Sequence, residues 1–134
     1  MQSRKHTVWL IWTIVVVFSY LLLFIGVKQI LHKAILPSNI MAYLVIGIVF
    51  GSIASGLLLL KWNIIFWSFI LGLLTGYSQM YYTFMNIRNG WEDLSGLLGL
   101  FVWAGAGLGI GTLFQLGWYI FKQYKKRNEV LFKK

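Results

Sequence analysis

Polar and charged residues fall in clusters along this chain, and four long apolar runs lie between them: Val8–Val27, Ile40–Leu60, Ile64–Met85 and Leu94–Phe121. A helix rises about 1.5 Å per residue and a bilayer's hydrocarbon core is about 30 Å thick, so roughly 20 apolar residues cross it. Each run reaches that length, and the pattern predicts four membrane-crossing helices. The last, 28 residues long, would reach about 42 Å as straight helix. It is expected to tilt, or to keep its first turn outside the hydrocarbon.

The polar breaks predict how the runs connect. The first run ends Phe24-Ile25-Gly26-Val27-Lys28 with no small-residue cleavage pattern, which suits a retained anchor rather than a signal peptide. From Lys28 to Leu36 the spacing is helical and two-faced, with Ile30, Leu31, Ala34 and Ile35 opposite Lys28, Gln29, His32 and Lys33. This stretch is expected to extend the first helix or to lie along the interface. Pro37 ends it, and Ser38 or Asn39 is expected to cap the next helix. Lys61-Trp62-Asn63 is so short that the second and third helices must turn tightly, and Asn89-Gly90 is a turn signal before the fourth. The fold class expected is all-α: a single integral membrane domain, residues 1–134, forming a four-transmembrane-helix bundle of two antiparallel hairpins. A basic tail, residues 122–134, follows.

Composition supports lipid as the main solvent. Of 134 residues, 59% are hydrophobic and 11% charged, and the mean hydropathy is +0.75. A soluble domain carries about a quarter charged residues, and a chain this short cannot bury so much apolar surface within itself. The net charge of +9 sits at the ends of the apolar runs, where it meets lipid headgroups; nucleic acid is not an expected partner. With the N-terminus inside, Arg4, Lys5, Lys61 and the tail residues Lys122, Lys125, Lys126, Arg127, Lys133 and Lys134 face the cytoplasm, and only Lys28, Lys33 and Arg88 lie outside. That asymmetry obeys the positive-inside rule. The expectation is a multi-pass protein of a cytoplasmic membrane, bacterial in type, with both ends inside.

Glycine spacing is the most specific signal for association. Gly47, Gly51 and Ser55 lie four apart in the second run, and Gly72 and Gly76 in the third. In the fourth, Gly105 pairs with Gly109 and Gly107 with Gly111, leaving small residues on two faces at once. Small residues at i and i+4 let another backbone approach closely, and packing drives helix association in lipid. These strips serve either internal packing or an interface with another chain, and the fourth helix is expected to touch two neighbours. The run does not satisfy G-x-G-x-x-G and lies mid-membrane, which excludes a dinucleotide site.

Other chemistry is sparse. No Asp, Glu, Lys, Arg or His falls inside a span, so the ionisable group that coupled transport needs at depth is missing. Ser52, Ser55, Ser68, Thr75, Ser78, Gln79, Thr112 and Gln115 are spread over several depths, and a polar permeation path would need several copies of the chain. Tyr77, Tyr81 and Phe84 form a stripe that suits packing and interface anchoring. Arg88, Trp91, Glu92 and Asp93 bring both charge signs and an indole together outside the membrane, as either a helix-capping turn or a recognition loop. His6 and His32 fall on opposite sides, cysteine is absent, and no nucleophile or metal motif is present. No cofactor, metal or catalytic residue is expected. The expected function is non-catalytic: helix–helix association with a membrane-protein partner or a second copy, as an accessory subunit, regulatory subunit or envelope-associated factor. The rival expectation is a small channel or carrier working as an oligomer.

Overall fold

In a computed structural model the described residues are 2–30, 34, 36–86 and 90–131; for 2–4, 92–93 and 128–131 the backbone alone is described. Four α-helices account for nearly all of them: α1 (Gln2–Ile25), α2 (Pro37–Leu59), α3 (Asn63–Asn86) and α4 (Glu92–Leu131). Gly26–Ile30 continues α1 as a short π-helical segment. All four helices are long and apolar enough to span a membrane, and no strand occurs among the described residues. The protein is an all-helical membrane bundle.

Local chemistry sets the helix ends, not always at the expected residues. Pro37 does not merely stop the preceding chain; it opens α2, where its missing N–H would lack a helical partner anyway. The cap is Leu36, in extended conformation and without a side-chain capping bond, so neither Ser38 nor Asn39 plays that part. Of the amphipathic stretch, Lys28–Ile30 belong to the π-helical segment and Ala34 and Leu36 are not helical; Leu31, His32, Lys33 and Ile35 lie outside the described residues.

The tight turn between α2 and α3 has a defined structure. Trp62 N–H donates to the Leu57 carbonyl at 3.0 Å and Lys61 N–H to the Leu58 carbonyl at 3.1 Å, the paired bonds of a Schellman motif. That motif puts its second-to-last residue in the left-handed region, and Lys61 sits there at φ 60° where glycine is usual. Beyond the turn α2 and α3 diverge. The closest pairs are α3 with α4 and α1 with α2.

The core lies where the two pairs meet. Phe50 of α2 packs edge-on to Phe69 of α3, centroids 6.2 Å apart, and reaches Phe101 of α4 at 5.7 Å. Leu23, Ala54, Phe69, Met80 and Leu100 are fully enclosed around it. Burial is uneven: over an apolar 18-residue stretch of each helix, 44% of residues in α3 and 39% in α2 are inside the molecule, against 22% in α1 and in α4. Lipid, or another protein, must cover the rest of α4.

Relative to α3, the extra length of α4 lies at its C-terminal end. Gly96 lies against Phe84, near the end of α3, whereas Gly111 lies against Ile65, two residues from the start of α3. From Gly111 the helix continues to Leu131, so α4 overhangs α3 by roughly 27 Å at 1.5 Å per residue. The basic segment expected as a tail is thus helical through Leu131.

Candidate functional site

The small residues divide into three groups by what they touch. In the first, Gly47 and Gly51 seat α2 on α1. A methyl group on Gly47 would lie 3.0 Å from the Val16 carbonyl oxygen, and one on Gly51 would lie 2.6 Å from Val16 Cγ2 and 3.2 Å from the Trp12 carbonyl oxygen. Ser55, the third member of that strip, turns its hydroxyl onto the Ser52 carbonyl at 3.1 Å and lines a groove beside Trp9 and Trp12.

The second group joins α3 to α4. A Cβ on Gly72 would approach the Trp103 carbonyl oxygen to 2.6 Å, and one on Gly107 would approach the Ser68 carbonyl oxygen to 2.6 Å and Gly72 Cα to 3.1 Å. A Cβ on Gly76 would lie 3.0 Å from the Leu100 carbonyl oxygen, and one on Gly111 would lie 2.8 Å from Ile65 Cα. With the backbones this close, Ser68 Oγ donates across the interface to the Gly107 carbonyl at 2.7 Å. Backbone contact and a cross-helix hydrogen bond together are what association in lipid relies on.

The third group is Gly105 and Gly109. A Cβ on either would meet nothing within 4 Å, and both residues are exposed. They share an outward face of α4 with Val102 and Leu113, which are 68% and 72% exposed. The fourth helix therefore spends one small-residue strip on α3 and presents the other outward; the second neighbour it touches within the chain, α2, is met through Phe101 and not through a glycine strip.

Two further glycines are as tightly seated, and the i, i+4 pattern misses them because each stands alone. A Cβ on Gly26 would lie 2.9 Å from Tyr81 Cε1, and one on Gly96 would collide with the Phe84 ring. Each opposes an aromatic ring of α3 rather than a backbone. Tyr81 also donates through its hydroxyl to the Leu22 carbonyl at 2.6 Å. Leu22 is the carbonyl an α-helix would pair with the Gly26 N–H, and Gly26 is where the π-helical segment begins. The aromatic stripe of α3 thus fastens the end of α1 by a hydrogen bond as well as by packing.

Most of the remaining polar groups bond locally. Thr13, Thr75, Ser78, Thr83 and Thr112 each donate to the carbonyl four residues back, at 2.8–3.0 Å. Ser19 and Tyr77 bring two buried hydroxyls into one apolar crevice between α1 and α3. Among the described residues no three His, Cys, Asp or Glu gather as metal ligands would. Of the expected recognition loop, Trp91 is 69% exposed and Glu92 and Asp93 open α4, while Arg88 lies outside the described residues. The acids occupy the helix turn that favours negative charge.

No family model matches this chain, and neither a curated protein nor a solved structure is significantly similar to it.

Proposed function

We propose that this protein is a non-catalytic membrane protein that acts by binding another membrane protein, as an accessory or regulatory subunit or an envelope-associated factor, through the outward face of α4. One observation carries the reading. The same helix holds two glycine strips; Gly107 and Gly111 are occupied by α3, and Gly105 and Gly109 meet nothing. Exposed glycine in a helix interior costs about 1 kcal/mol relative to alanine, and lipid makes no use of a missing side chain. A close-packed helix from a partner does.

Both ends of the chain are placed on the cytoplasmic side in this reading, on the strength of nine basic residues there against three opposite. The absence of ionisable residues within the spans argues for binding over coupled transport.

The test is recovery of the native complex after mild detergent extraction. The wild-type chain is expected to co-purify with a different membrane protein in fixed ratio, and the double substitution Gly105→Leu, Gly109→Leu is expected to release it while leaving the chain folded. If the pure protein instead forms a homo-oligomer and passes ions or small solutes in liposomes, the channel reading replaces this one.

A further inference from the structure

We propose that the groove between α1 and α2 at the basic end of the bundle is a binding site for one acidic phospholipid, with an acyl chain in the groove and the phosphate held by Lys5 and Lys61. The groove has a volume of about 390 Å³ and is lined by Val8, Trp9, Trp12, Ser55 and Leu59. That is within the range of about 300–1,000 Å³ typical of ligand sites, and its walls are almost wholly apolar. Two polar groups of the lining are tied to the wall: the Trp12 indole N–H reaches Ser52 Oγ at 3.4 Å, and the Ser55 hydroxyl donates to the Ser52 carbonyl at 3.1 Å. A hydrocarbon chain suits such a lining.

The charge lies at one end of the groove only. Lys5, Val8, Trp9 and Trp12 are spaced i, i+3, i+4, i+7 and share one face of α1, so Lys5 stands one turn beyond the groove toward the membrane surface. Lys61 follows Leu59 and Leu60 on the opposite wall, and both lysines are exposed. No acid stands near in the chain: Glu92 and Asp93 open α4 at the other end of the bundle, and Glu129 lies in the overhang of α4. Two cations above an apolar slot complement a phosphate above an acyl chain.

Lys61 gives an independent reason to look here. It occupies the left-handed position of the α2 C-terminal motif, φ 60°, where a β-carbon is unfavourable and glycine would fit without strain. Strain kept in a backbone points to a role for the side chain. The side chain here is an exposed cation at the open end of the groove.

The experiment uses the full chain, reconstituted in vesicles of equal parts phosphatidylglycerol and phosphatidylcholine, extracted in mild detergent and weighed by native mass spectrometry. Wild type is expected to retain one phosphatidylglycerol with a preference on the order of tenfold, the scale that two interfacial cations supply. Lys5→Gln should weaken that preference. Lys61→Gly should abolish it while raising resistance to unfolding, so the loss cannot be a loss of fold. Ser55→Phe, which fills the groove, should lower retention of both lipids. Neutralising Lys122, Lys125, Lys126 and Arg127 together should leave the preference intact. A preference that survives Lys61→Gly, or that disappears with the α4 cations alone, overturns the site. So does a groove-filling variant that dissociates a dimer without losing lipid, because the occupant would then be a second copy.

Discussion

At the scale of single residues, a methyl group decides whether two helices can meet. Gly107 and Gly109 are two positions apart, yet a Cβ at one would lie 2.6 Å from a backbone oxygen of α3 and at the other would meet nothing within 4 Å. Gly107→Leu is therefore expected to separate α3 from α4 at a cost of about 1–3 kcal/mol or more, as overpacking of a tight contact does. It would also break the Ser68–Gly107 hydrogen bond. Gly109→Leu, which meets no neighbour, should leave stability unchanged or raise it by up to about 1 kcal/mol, since leucine is the better helix former. Unfolding of the two purified variants in detergent measures the contrast, and equal losses would contradict the assignment of faces. Spacing alone reveals both strips in the sequence. It cannot say which one is occupied inside the chain, because that depends on the rotation of α4 about its axis, which the positions of Ser68 and Gly72 on another helix determine.

At the scale of elements, spans were legible and their ends less so. An apolar run long enough to cross a bilayer announces itself through hydropathy, and four runs became four helices. The ends answer to hydrogen bonding that composition does not encode. Leu36 rather than Ser38 or Asn39 caps α2 because Pro37 fits the first helical position. The π-helical segment after Ile25 was hidden for a different reason: its cause lies on α3. Tyr81 fits over Gly26 and donates to the Leu22 carbonyl at 2.6 Å; such insertion into a helical ladder is a known source of local distortion. Tyr81→Phe is expected to remove that bond at a cost of about 0.6–1.5 kcal/mol and to return Gly26–Ile30 toward regular α-helix. Amide hydrogen exchange of α1 between Leu22 and Ile30 reads both effects: protection that shifts in register supports the account, and an unchanged pattern rejects it.

At the scale of the whole molecule, the lengths of the helices do not match, and the mismatch bears on the partner. The Lys61 turn and the first turn of α1 lie at the basic end, level with the start of α3, yet α4 runs roughly 27 Å farther. The first part of that overhang is apolar and aromatic around its circumference, with Phe114, Trp118, Ile120 and Phe121 all more than 60% exposed. If the membrane surface lies at Lys61, these side chains stand in water; if it lies at Lys122, the turn with Lys61 and the start of α3 sink by several residues into hydrocarbon. Neither placement is comfortable for the lone bundle: the first wets a helix that is apolar all round, which is normally buried, and the second takes the Lys61 cation into hydrocarbon. A partner that covers Phe114–Phe121 removes the conflict. Cysteines placed singly at Ser38, Asn63, Gly90, Phe114 and Ile120 can be challenged with an impermeant thiol reagent. From outside intact cells, Ser38 and Gly90 are expected to label and Asn63 is not, which fixes the orientation; the reverse result would invert it. In inside-out vesicles Asn63 should label in every preparation. Phe114 and Ile120 should stay protected where the native complex is intact and become reactive when Gly105→Leu, Gly109→Leu releases the partner. Protection that persists after release would mean that lipid covers the overhang, and that the outward face of α4 is shaped for the bilayer and not for another protein.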